Sequence, residues 1–219
     1  MSDLNMTYGD IKTAVEGDTI PATQPVAQWV AAAYTSIWSA APWTFKRVSG
    51  VPFYATADGT ATGAASATPT MPADIADTLV LTDQNGDELS QLGQQDFERS
   101  FNSDVSTGGP THFTVVDRQI RLWPVPDSAY QFTLSYKRRL ATRDSSGNIQ
   151  AGFFKADTDF PLWDDHHYLI VVRAKLLGLK SLTDPTASAL EDEYMDLLAA
   201  MREEYTQAVP AGFQVPAWP

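Results

Sequence analysis

Cysteine is absent from all 219 residues. That removes disulfides, thiolate nucleophiles and zinc–thiolate sites at once, and it fits a reducing compartment. Histidine is nearly as scarce, with His112, His166 and His167 the only three. Two of them sit in the run Asp164-Asp165-His166-His167. On a helix, neighbouring residues point about 100° apart, so these four cannot close on one ion. The i,i+3 and i,i+4 partners that helical ligand pairs need are missing, because Tyr168 and Leu169 follow the acids. Capping and interface polarity are the expected roles, and no metal or cofactor is expected. Long apolar runs are missing too: none approaches the roughly 18 residues of a membrane span. The start, Met1 to Thr7, has neither the basic nor the apolar segment of a signal peptide.

Basic charge is in short supply. Fifteen Lys and Arg stand against 27 Asp and Glu, a net charge of −12. A protein that works mainly by gripping phosphate needs an overall basic footprint, and this chain has none. Nucleophile elbows, P-loops and G-x-G-x-x-G loops are also absent. Asp96 and Glu98 can be imagined as the acid pair of a cell-wall hydrolase, but nearby acids are expected by chance among 27, and surface charge is the plainer reading. No catalytic residue is assigned and no enzyme is expected.

Apolar and aromatic residues, by contrast, are plentiful. Hydrophobic residues make up 43% of the chain, with six Trp, eight Tyr and ten Phe. A short helix is predicted from a Thr7 cap to Gly17, and a second from Val26 to about Ala41, with Val26, Trp29, Val30, Ala33, Tyr34, Ile37 and Trp38 at helical spacing. Pro42 ends it, and an extended segment from Trp43 and Phe45 reaches Tyr54. Ala55 to Thr70 is Ala, Thr, Gly and Ser with little else, and reads as a mobile loop or hairpin tip. A strand at Leu79–Leu81 closes on the turn Asn85-Gly86, and Leu89 to Phe101 reads as a short helix. Gly109 to Leu140 reads as a three-stranded meander, turned by Asp117-Arg118 and then by Pro124 to Asp127. Phe132, Leu134 and Tyr136 form its apolar face. Pro161 is predicted to open a third long helix, with Asp159 as its cap and Asp164 and Asp165 in its first turn. Asp184 caps a fourth, with Pro185 at its first position.

The expected fold class is therefore α+β: a helical bundle of N- and C-terminal helices, an inserted antiparallel β-rich region, and an extended C-terminal tail. The expected division is 1–45, 46–143, 144–207 and 208–219. The last segment is Pro-spaced and carries Phe213, Val215, Pro216 and Trp218, a pattern suited to docking in grooves of a partner. Lys137-Arg138-Arg139 is the densest basic run, and an acidic surface of a neighbouring subunit is its expected partner. Trp123 reads as core first, and as a sugar-stacking platform in the alternative reading of a carbohydrate-binding β module.

Several of these segments resemble one family, the head-to-tail adaptor (connector) proteins of tailed bacteriophages. The resemblance rests on Trp38 with Trp43-Thr44-Phe45, on Met71-Pro72-Ala73-Asp74, and on the strand start at Gly109-Pro110. It rests further on Ile120 to Asp127 followed by Tyr130 to Tyr136, on Ala174 to Gly178, and on the last helix ending in Tyr205. It implies a structural virion protein of the neck, made in the host cytoplasm. It implies a ring, usually of twelve copies, between the portal and a downstream tail or neck protein, with DNA passing through its lumen. The tail would dock on the portal through Phe213, Val215, Pro216 and Trp218, and Trp38, Trp43, Lys137, Arg138 and Arg139 are candidates for the contact between subunits. An acidic lumen would let DNA slide without sticking.

Overall fold

Helix α1 (Tyr8–Glu16) starts where the sequence supplies a reciprocal cap. The Asp10 amide donates to Thr7 Oγ1, and the Asp10 carboxylate accepts from the Thr7 amide at 3.0 Å. The Thr7 hydroxyl, which donates to the same carboxylate at 2.7 Å, and then the Thr7 amide hold the Asp10 carboxyl below its usual pKa. Helix α2 (Val26–Ser39) follows Pro25 and buries Val26, Val30, Ala33, Tyr34, Ile37 and Trp38 along one stripe. The computed structural model of the protein describes residues 5–17, 24–55, 71–101, 104 and 106–206. Most of the Ala/Thr/Gly loop and the whole tail from residue 207 lie outside the described residues.

The chain is α+β and divides into two compact units, one of Met1–Lys46 with Leu140–Pro219 and one of Arg47–Arg139. The first is the helical unit. After α2, the expected extended segment is interrupted by a 3-10 turn at Thr44–Lys46. Trp43 causes it: the ring is fully buried against α2 and its Nε1–H donates to the Ile37 carbonyl at 2.7 Å. The unit continues with a small antiparallel sheet of three strands, β7 (Ala141–Arg143), β8 (Ile149–Ala151) and β9 (Phe160–Pro161), in the order β8-β7-β9. Helix α4 (His167–Ser181) packs against α1, α2 and α5 (Ala187–Tyr205).

The start of α4 differs from the prediction. Pro161 belongs to β9 and pairs with Thr142, so no helix begins there. Asp159 does not cap α4: its carboxylate collects the Lys155 and Ala156 amides and the Gln150 side chain, and its carbonyl accepts from the Tyr8 amide at the start of α1. Asp164 and Asp165 precede the helix instead of forming its first turn, and the chain enters α4 through His166 in a left-handed conformation. Tertiary demand explains the delay. The Leu162 amide donates to the Tyr34 hydroxyl, and the Pro161 and Trp163 carbonyls accept from Arg143, so residues 161–163 are committed before a helix can form. At the head of α5, the Asp184 carboxylate accepts from the Thr186 amide and hydroxyl, while the helix proper starts at Ala187.

The second unit holds two three-stranded sheets. One has the order β1-β6-β2, from β1 (Arg47–Ala55), β2 (Ile75–Thr82) and β6 (Tyr130–Arg138). The other has the order β3-β4-β5, from β3 (Ser90–Gln91), β4 (His112–Val116) and β5 (Gln119–Trp123). The predicted meander is therefore split. Asp117 and Arg118, both at positive φ, make the expected two-residue hairpin between β4 and β5. Beyond β5 the chain changes sheets. Pro124 and Pro126 have no N–H to donate to a ladder, and Val125 is tied by its backbone to Ser106 and Gly108. β6 then becomes the middle strand of the other sheet, its buried Phe132, Leu134 and Tyr136 packing with Phe53, Leu81, Phe113, Ile120 and Leu122.

The predicted helix from Leu89 is also shortened. The Leu89, Ser90 and Leu92 amides donate to Leu81, Thr111 and Phe113, so β3 forms first and helix α3 covers only Gln94–Phe101.

Tyr34 is the polar centre of the helical unit. Fully buried, it donates to the Ala141 carbonyl at 2.6 Å, accepts from the Leu162 amide at 3.1 Å and stacks on Trp163 with centroids 4.8 Å apart. Burial pushes its hydroxyl pKa far above that of a free phenol. Tyr34→Phe strands two buried backbone groups, and urea unfolding at pH 7 should show a loss of about 1–3 kcal/mol. The folded state holds this proton more tightly than the unfolded state, so the Tyr34 contribution is complete below the free phenol pKa. It falls by about 1.4 kcal/mol per pH unit above about pH 10. The wild-type advantage over Tyr34→Phe should shrink accordingly in that range.

Candidate functional site

A protein that works by contact displays its function on its surfaces, so what matters is which predicted residues the fold uses internally and which it leaves outward. Asp74 sits at the turn into β2, buried, and accepts at both carboxylate oxygens: from Arg138 Nε at 2.8 Å and from the Tyr136 hydroxyl at 3.0 Å. Its backbone carbonyl accepts from the Arg139 amide at 2.8 Å, and the Arg139 guanidinium donates to the Ala73 carbonyl. From the other side, the Arg118 guanidinium donates to the Pro72 carbonyl at 3.0 Å, and the Met71 amide donates to the Arg118 carbonyl. Burial, reinforced by the Asp74 charge, raises the Tyr136 pKa. Two segments that carry the resemblance, Met71–Asp74 and the end of β6, thus hold each other.

This clasp sorts the basic run. Arg138 is turned inward onto Asp74, while Lys137 and Arg139 stay exposed. Strand alternation sends Lys137 to the face opposite Tyr136 and Arg138. Arg47 lies directly across from Lys137 in the β1–β6 register and is also exposed. Arg47 was not singled out from the sequence, because nothing local marks it; only the strand pairing does. The aromatic candidates are drawn into the helical core. Trp43 is fully buried, and Trp38 packs against Phe45, with Lys46 Nζ 5.4 Å from its ring centroid. Their surfaces are occupied within the chain. Phe213, Val215, Pro216 and Trp218 lie outside the described residues.

The acid–histidine run is dispersed among separate partners. Asp164 pairs with Arg143 at 2.5 Å, and His166 Nε2 meets Glu204 at 2.7 Å. Buried His167 accepts from the Met6 amide at Nδ1 and donates from Nε2 to the Trp163 carbonyl at 2.8 Å. Among the described residues no group of three acids and histidines could hold a metal. Asp96 and Glu98 stand two apart on exposed α3, on diverging sides, with Asp96 3.8 Å from Arg99 and Glu98 accepting from Gln94. Trp123 stacks on Phe101 with centroids 3.9 Å apart and meets His112 edge-on, so one ring face, at least, is covered by protein and closed to a sugar.

Charge is unequally shared. Unit Arg47–Arg139 carries seven basic and eleven acidic residues, and the helical unit eight and sixteen, net charges of −4 and −8. Six of those acids lie on α5. Glu191 pairs with Lys180 and Glu204 with His166, whereas Asp192, Asp196 and Glu203 are exposed and make no ion pair among the described residues. They fall on one stripe, opposite the buried Tyr194, Leu198 and Met201.

Replacing Asp74 by Ala leaves the Arg138 guanidinium without its carboxylate in a mostly buried place. Chemical denaturation should register a loss of about 2–3 kcal/mol, and a double-mutant cycle with Arg138→Ala should return a coupling of about 1–2 kcal/mol. Additive losses would mean that the clasp is not a unit.

No curated protein matches the chain. The family described as SU10 adaptor protein matches it over residues 6–215, which takes in both units and the clasp that joins Met71–Asp74 to β6. The chain belongs to this family of phage head-to-tail adaptors, structural proteins of the virion.

Proposed function

We propose that the protein is the ring-forming subunit of the phage neck, set below the portal, linking capsid to tail and surrounding the channel through which DNA passes. The ring has twelve copies, and its other partner is the next neck or tail protein. In this reading α1, α2, α4 and α5 form the family's bundle, and the segment after residue 207 is an extended arm that enters the portal. The observation that carries it is the extent of the family match. It runs to residue 215 and so includes Phe213 and Val215, with Pro216 and Trp218 just beyond. Apolar side chains separated by prolines suit an arm of this kind, because a Pro-rich segment has little conformational entropy to lose on docking. The negative charge supports the channel role. A lumen of the same sign as DNA keeps the polymer hydrated and unattached, and no overall basic footprint competes to hold it.

Deleting Phe213–Pro219 should leave the thermal transition of the chain unchanged and abolish its binding to the portal ring of the same phage, read as mass by native mass spectrometry. The intact chain should add many copies per portal. Equal loading by the truncated chain would overturn the role of the arm.

A further inference from the structure

Like charges directly opposite each other on neighbouring antiparallel strands destabilise a sheet. Arg47 on β1 and Lys137 on β6 are such a pair. Both are exposed, and neither makes an ion pair or side-chain hydrogen bond among the described residues. Their Cα atoms lie about 5 Å apart, and Arg139 adds a third exposed cation two residues on. In the β2–β6 register the strand position paired with Lys137 is residue 77. In a chain of net charge −12, this is a local reversal of sign on an open sheet face.

The complementary surface is on the same chain. Asp192, Asp196 and Glu203 recur along the outward stripe of α5, over about 16 Å of helix. Between them stand Ala199 and, to the sides, Ser188 and Ala200, all exposed and short, so another backbone can come close. No cation of α5 shares the stripe, because Arg202 is turned away to the Ala40 carbonyl.

We propose that the Arg47–Lys137 face of one copy docks on the Asp192–Asp196–Glu203 stripe of the next, making the lateral contact of the ring. The contact is heterologous, with different patches on its two sides, as closure by rotation requires. It rests on the ring reading above and supplies its subunit–subunit chemistry. It also accounts for the surplus of cations: an incoming carboxylate relieves the repulsion between Arg47 and Lys137, so the sheet is more stable in the assembly than alone.

The test uses full-length chains loaded on the portal ring and weighed by native mass spectrometry. Copy one carries Arg47→Glu and Lys137→Glu; copy two carries Asp192→Lys and Asp196→Lys. All four positions are exposed, and thermal melts establish that both variants fold; if the first does not, Asp192→Lys with Asp196→Lys alone carries the test through its own loading. Each variant alone sets like charges against each other at every contact and should need more than about tenfold higher concentration to fill the portal. An equimolar mixture can alternate, so that every contact is again complementary, and should load as the wild type does. Raised salt should weaken the wild-type ring. Normal loading by either variant alone overturns the proposal, as does a mixture that fails to recover. Normal loading with loss of DNA retention also overturns it and assigns the cations to DNA. A wild-type chain that never adds more than isolated copies overturns the ring reading itself.

Discussion

The helical unit depends on one hydroxyl. Tyr34 lies on α2, and its partners, the Ala141 carbonyl and the Leu162 amide, lie 107 and 128 positions further along the chain. A buried phenol with no partner is costly, and so are the two backbone groups it serves. Satisfying all three fixes α2 against β7 and against the segment ahead of α4. Arg143, two residues beyond Ala141, extends the arrangement by gathering the Pro161 and Trp163 carbonyls and the Asp164 carboxylate. Trp163 is thereby placed on the Tyr34 ring, and Phe45 bridges it to Tyr205 at the end of α5, with centroid distances of 5.2 and 5.6 Å. Both the entry to α4 and the last turn of α5 follow from this one set of contacts.

The other unit is organised around a carboxylate. Asp74 does for β2 and β6 what Tyr34 does for the helices, satisfying an arginine, a tyrosine and a backbone amide brought from 62 to 65 residues away. The two units also share a local device. Asp83 and Asp144 each begin a tight turn in which one carboxylate oxygen accepts the amides two and four residues on, and a glycine at positive φ, Gly86 or Gly147, completes it. In both turns the carboxyl is held below its usual pKa, at Asp83 chiefly by the Asp87 amide and at Asp144 chiefly by the Asn148 side-chain amide.

What could be read in the sequence was what neighbours decide. The Thr7 cap, the α2 stripe, the Asp117-Arg118 hairpin, the Asn85-Gly86 turn and the buried alternation on β6 all follow from residues within a few positions of one another. The errors share a cause. Leu89–Phe101 reads as helical apart from Gly93, yet its first amides are taken by strands brought from elsewhere. Pro161 is a good first residue for a helix, yet Thr142 and Tyr34 claim its surroundings. A meander was expected because three strands follow one another, but whether β6 stays beside β5 is decided by the sheet that needs a middle strand. Among the site residues, the clasp of Asp74 joins two segments more than 60 positions apart, and Arg47 acquires meaning only from its register with Lys137.

The division of the helical unit into two stretches has a consequence for the order in which a subunit becomes usable. Residues 47–139 are contiguous and can fold as they leave the ribosome, whereas α1 and α2 must wait for Ala141 and Leu162 before Tyr34 finds its partners. Until then their apolar stripe has no core to join. A chain interrupted between Arg139 and Leu162 therefore has a β-rich unit but neither a complete helical unit nor helix α5. Translation itself becomes a checkpoint, because the helical core cannot close on an unfinished chain.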